Sequence, residues 1–132
     1  MKLQTLMVIK AGVCLVLGAI ILIVPTVLYG LFGAALTATG ALAAREYGAS
    51  LIGNMLVTWF ARNAQNSDAR RAIILGLCVY DAIGFLVALA AVIMGVFNPL
   101  GWLVVILYLF FAVGFGYFFV KVPQPAIQPK SA

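Results

Sequence analysis

Residues 11–44 and 82–120 contain no Asp, Glu, Lys or Arg. Each stretch is longer than the roughly 20 residues that one helix needs to cross a bilayer. The rest of the composition agrees: 66% of residues are hydrophobic and 8% charged, against about 45–50% and 25% in soluble domains. A water-soluble enzyme, a nucleic-acid-binding domain and a disordered chain are thereby excluded. The expected fold is all-α, a polytopic membrane protein built as an antiparallel four-helix transmembrane bundle.

Four spans are expected, over about 10–31, 41–62, 69–96 and 99–121, forming a single membrane domain over 1–122 with a proline-spaced tail over 123–132. Pro25 falls inside the first span, where it predicts a kink, because membrane helices tolerate proline. Residues 32–40 are small and weakly helical and read as a connection. Ser67 is placed to cap the third span, with Asp68 in its positive first turn. Asn98-Pro99 announces the fourth, as a capping residue followed by proline at the first helical position.

Orientation follows from the basic residues. Lys2 and Lys10 precede or open span one, Arg62, Arg70 and Arg71 flank the middle loop, and Lys121 and Lys130 follow span four. The two opposite connections contain no Lys or Arg, so the positive-inside rule places both termini in the cytoplasm of a bacterium. The net charge of +5 is then a topology signal, with Lys10, Arg62, Arg70, Arg71 and Lys121 meeting lipid headgroups. A cleaved signal peptide ending near Ala43 is disfavoured, because the apolar run is far longer than the about 7–15 residues of a secretory core.

Ionisable side chains inside spans are expensive, so each needs a partner or a role. Asp81 lies ~15 Å beyond Arg71 at 1.5 Å per residue, near mid-bilayer. Arg45 and Glu46 lie near the outer end of span two, within reach of the interface. Glu46, Ser50, Asn54, Thr58 and Arg62 recur every fourth residue and form a polar stripe. Asn54 is ~12 Å from Arg62 by helical rise, close to the depth of Asp81. The expectation is an Asn54–Asp81 contact, with Arg45 a more distant countercharge. Small residues at Gly84, Ala88, Ala91 and Gly95 of span three, and at Ala49 and Gly53 of span two, suit close helix approach. Together they predict a seam gluing spans two and three; the alternatives are a proton-linked or substrate-contacting Asp81, or a contact with another subunit.

Span four is strongly aromatic, from Trp102 to Phe119. Its rings point around most of the helix, so some must face lipid, a cofactor or another protein. Bound lipid, quinone, carotenoid or chlorophyll is compatible with such a surface, yet no motif demands a cofactor. Histidine is absent, which removes the usual ligand for haem or a pigment's magnesium. Cys14 and Cys78 form no CxxC pair and no zinc framework.

With Ala44-Arg45-Glu46-Tyr47-Gly48 opening span two, Trp59-Phe60-Ala61-Arg62 closing it and Gly101-Trp102 starting span four, the chain resembles small four-span membrane proteins of bacteria that carry no assigned activity. Better-known types fit worse. Small multidrug transporters use an acid in the first span, which is absent here. Fluoride channels of this size tend to dual topology, and quinone-linked thiol oxidoreductases need a CxxC. Three functions therefore compete. The leading expectation is a non-enzymatic accessory or scaffolding subunit of a respiratory or photosynthetic type of complex, partnered by lipids and other membrane subunits and not by nucleic acid. A small oligomeric transporter or channel using Asp81, Asn54 and Glu46 comes next, then a binder of lipid or quinone. An enzyme comes last, since no nucleophile–base pair is visible.

Overall fold

The computed structural model describes residues 1–121, so the tail over 123–132, with Lys130, lies outside the described residues. Five helices follow one another: α1 (Leu3–Ile23), α2 (Pro25–Leu31), α3 (Ala38–Ala61), α4 (Asp68–Ile93) and α5 (Gly101–Lys121). No strand occurs among the described residues. Helices α1, α4 and α5 are long and apolar enough to cross a membrane. Their outward side chains are large and apolar, as at Val16, Leu86 and Leu103, which suits lipid. Helix α3 has the length, 24 residues, but is the least apolar of the four long helices.

The first expected span begins seven residues early and is broken, not kinked. Proline has no N–H for the carbonyl one turn back, and its ring crowds that carbonyl. Val24 accordingly leaves the helical region, at φ −131° and ψ 59°, and Pro25 restarts the chain as the first residue of α2. Ser67 caps α4 as its position implies, its Oγ accepting from Arg70 N at 3.2 Å with Asp68 in the first turn. Asn98 Oδ1 accepts from Leu100 N at 3.0 Å, and α5 starts at Gly101 after one turn.

Glycine ends two helices for a conformational reason. Gly33 and Gly95 have φ of 80° and 72°, a region closed to most side chains. At Gly95 the amide donates to Val92 O, and Val96 N donates to Ala91 O at 2.9 Å, the Schellman arrangement that satisfies the last carbonyls of a helix. Gly33 and Ala34 close α2 in the same way. Gly95 was expected in a helix-packing face. It sits instead in a turn, with open space where a side chain would stand.

The helices pair as two antiparallel hairpins, α1 with α3 and α4 with α5. The expected seam between the second and third spans, α3 against α4, is not formed. Gly18 and Gly48 bring the α1 and α3 backbones together: a Cβ on Gly48 would lie 2.8 Å from Leu22 N and 3.0 Å from Gly18 O. Gly84 of α4 lies under the Tyr108 ring of α5, and Gly101 under Val92. Small residues do permit close approach here, but between different helices from those expected.

At the basic end all four long helices meet. Leu6, Met7, Ala61, Ile74, Leu77, Phe111 and Phe115 form one buried cluster, and Gln4 Nε2 donates to Asn63 Oδ1 at 3.1 Å. At the opposite end the connections are tied: Asn98 N donates to Phe32 O at 2.7 Å and Asn98 Nδ2 to Leu31 O at 2.9 Å. Between these ties the buried members of the second core cluster, Cys14, Ile21, Ala44 and Leu51, all lie on α1 and α3, and α4 reaches it through Tyr80. The hairpins therefore part in the half of the molecule away from the basic end.

Candidate functional site

The parting leaves a cavity of about 520 Å³ between the hairpins, within the roughly 300–1,000 Å³ of small-molecule sites. Along α4 it extends from Tyr80 to Ala91, ~16 Å by helical rise. One end is closed by rings from the connections: Phe97 packs on Phe32 and Tyr29 with centroids 5.5 and 6.3 Å apart. The sides are apolar, including Leu17, Gly84, Ala88 and Leu107. Two lining residues, Ile83 and Val87, are 57% and 65% exposed, so the cavity opens sideways along α4.

Apart from Tyr29 at the ring-closed end, the polar groups gather at the other end, where each long helix contributes one or more. Lys10 of α1 is forced inward by its neighbours: Leu3, Leu6, Met7, Ala11, Cys14, Gly18 and Ile21 define the buried stripe of the helix, and Lys10 lies on it. Its ammonium donates to Asp81 Oδ1, an ion pair in which the two residues are 3% and 0% exposed. The same Nζ stands 4.7 Å from the Phe111 ring centroid, 5.2 Å from Tyr80 and 5.9 Å from Tyr108, distances at which a ring face attracts a cation. Lys10 was expected at the headgroups. It is buried because α1 starts at Leu3, which puts Lys10 two turns into the helix.

Above the pair, the hydroxyls of Tyr47 (α3) and Tyr108 (α5) hydrogen-bond to one another and bridge the two hairpins. The Tyr80 hydroxyl is buried beside them and completes no hydrogen bond of ordinary geometry, and Asp81 Oδ2 is buried without a partner. Lys10, Tyr47, Tyr80 and Tyr108 line the cavity; Asp81 stands behind Lys10 and does not.

The expected Asn54–Asp81 contact is absent. Asn54 serves its own helix: Thr58 Oγ1 donates to its carbonyl at 2.7 Å and meets its side-chain oxygen at 3.4 Å, the local bonding that short polar side chains offer within helices. Arg45, Glu46, Ala49, Ser50 and Gly53 face outward from α3, and a Cβ on Gly53 would meet nothing within 4 Å. Ala49 and Gly53 are therefore not packing positions within the chain, because the inward face of α3 carries Ala44, Gly48 and Leu51. Ala88 is buried and Ala91 half-buried, both on the cavity wall.

The basic residues at the far end rest on rings. Arg62 stacks 3.7 Å from Trp59, Arg71 lies 4.4 Å from Phe119 and Lys121 4.9 Å from Tyr117. Arg70 is half-buried in the first turn of α4. Cys14 and Cys78 are free thiols, and Cys78 Sγ donates to Ala112 O at 3.4 Å as α4 packs on α5. Among the described residues, no three His, Cys, Asp or Glu side chains gather to hold a metal.

The tyrosines are what reasoning from sequence missed. Tyrosine at a helix end suits the interface, but Tyr47, Tyr80 and Tyr108 lie well inside their helices, where a hydroxyl must find a partner. That position was the available signal. No protein-family model matches the chain, and neither a curated protein nor a solved structure matches it.

Proposed function

We propose that the chain is a non-enzymatic four-span protein of the bacterial cytoplasmic membrane that holds a lipophilic molecule between its two hairpins. The observation that carries this reading is the cavity. It has the volume of a ligand site, an apolar wall, a polar floor and a lateral opening where a membrane would present its acyl chains. In this reading α3 is the fourth span. Its polar residues are accommodated by its antiparallel partner α1 on one side and, for Arg45 and Glu46, by reach toward the interface. Lys2, Arg62, Arg70, Arg71 and Lys121 share one end of the molecule, and the positive-inside rule makes that end cytoplasmic, with both termini.

One observation favours a second, compatible reading as an accessory or scaffolding subunit. The outward face of α3 shows Arg45, Glu46 and Ser50 among apolar neighbours, a surface that another membrane subunit satisfies better than lipid. Asp81, paired with Lys10 and shut off from the cavity, lends no support to a proton-coupled transporter.

The test is binding of an apolar fluorescent polyene to the purified chain in nanodiscs. Saturable binding that is lost in Ala91→Phe, which fills the cavity, and kept in Phe110→Leu on the outer surface is the expected result. Binding indifferent to Ala91→Phe would overturn the reading.

A further inference from the structure

Resting on that reading, we infer that the molecule held in the cavity is a neutral lipophile bearing a carbonyl oxygen, a ring ketone or an ester, which is received by the hydroxyl and ammonium hydrogens at the cavity floor. The argument is a count of donors. An ammonium has three hydrogens and no acceptor, and a phenol has one hydrogen. Lys10 gives one hydrogen to Asp81 Oδ1 and has two left. Tyr47, Tyr80 and Tyr108 bring three hydroxyl hydrogens, of which the Tyr47–Tyr108 bond uses one, and the Tyr80 hydroxyl lies against both others without a bond of ordinary geometry. The carboxylate oxygen left over, Asp81 Oδ2, is buried without a partner, and Asp81 does not line the cavity. The phenol oxygens can also accept, so the uncommitted donors facing the cavity are led by the two remaining hydrogens of Lys10, whose other neighbours are ring faces.

Such a floor asks for an acceptor, and the charge balance says which kind. Lys10 and Asp81 cancel one another, so a carboxylate entering the cavity would meet no net positive charge and would lose its hydration. A carbonyl brings lone pairs without charge. The rest of the wall is hydrocarbon and aromatic, which suits an alkyl or prenyl tail lying along α4 and leaving past Ile83 and Val87. Two sources supply this chemistry in a bacterial membrane: a prenylated quinone and an acyl ester of the bilayer.

Three probes with matched tails separate these cases on the full chain in nanodiscs. They are a decyl-substituted benzoquinone, decylbenzene and a short-chain diacylglycerol, each competed against the fluorescent polyene. The expected result is a carbonyl probe at least about tenfold tighter than decylbenzene, with Tyr80→Phe cutting that preference about fivefold, as for one lost neutral hydrogen bond. Tyr47→Phe is the second variant, should Tyr80→Phe lower the folded fraction. Preference for the quinone assigns a quinone, and preference for the diacylglycerol assigns a bilayer lipid; each supports the carbonyl assignment if Tyr80→Phe reduces it. Equal affinity for decylbenzene and the carbonyl probes, unchanged by Tyr80→Phe, would overturn the assignment while leaving an apolar-ligand cavity standing. Failure of all three probes to displace the polyene would overturn it too, and no polyene binding at all would remove the underlying reading as well.

Discussion

The ion pair between Lys10 and Asp81 allows a quantitative forecast. Both residues are essentially buried, at 3% and 0% exposure, so removing one partner strands the other in a medium that cannot hydrate it. Breaking a buried pair from one side costs about 3–5 kcal/mol. Lys10→Met should fall in that range, because Asp81 would then have neither oxygen satisfied; Oδ2 already lacks a partner. Asp81→Asn should cost less, about 1–3 kcal/mol. The ammonium keeps the Phe111, Tyr80 and Tyr108 rings, and a desolvated cation–π contact is worth about 2 kcal/mol. Methionine fills the space of the lysine stem and suits the surrounding rings. The double variant Lys10→Met/Asp81→Asn should therefore lie within about 1 kcal/mol of the wild type, since replacing a buried pair as a unit is often neutral. The coupling energy is then at least about 3 kcal/mol, and about 6 kcal/mol at the middle of these ranges. Equilibrium unfolding in mixed detergent micelles, followed by loss of helical circular dichroism, measures all four proteins. Additive single effects, or a neutral Lys10→Met, would refute the reasoning.

Three further outcomes follow from the packing and the charge pattern. Gly84→Leu should destabilise by about 2–3 kcal/mol, because even its Cβ would lie 2.6–2.7 Å from Cδ1 and Cζ of Tyr108, whereas Phe110→Leu on the outer surface of α5 should stay within about 0.5 kcal/mol. Within α3 the same substitution should have opposite signs: Gly48→Ala meets backbone of α1 that cannot yield and should cost about 1–3 kcal/mol, while Gly53→Ala faces open space and should gain about 0.5–1 kcal/mol of helix propensity; unfolding midpoints check both. Reporter fusions within 63–67 and at Ala132 should read cytoplasmic and fusions near Thr37 and Asn98 external, and equal populations of both orientations would contradict the orientation.

Local signals proved the legible part of this molecule. The uncharged runs announce helices and Ser67 announces the start of α4. Gly33 and Gly95, which end helices because glycine suits their backbone, carry no stop signal in the sequence reading, which puts Gly95 on a packing face. Pairing between helices was less legible. Depth along each helix brought Asn54 level with Asp81, but depth says nothing about azimuth, and Asn54 turns to its own Thr58. Gly84 was read as a packing position, yet its partner is a ring of α5 and not α3. Lys10 was assigned by its nearness to the N-terminus, although Leu6, Met7, Ala11 and Cys14 around it already spell the helical spacing of a buried face. The cavity had no signature in sequence, since it is defined by where two hairpins fail to touch.

Native mass spectrometry of the chain extracted gently from its own membrane tests the central claim most directly. The account predicts one lipophilic molecule retained per chain in the wild type, with a fragment mass that identifies its head, and its loss in Ala91→Phe without loss of helical content. A wild-type chain that emerges empty, or an adduct that survives Ala91→Phe unchanged, would contradict it.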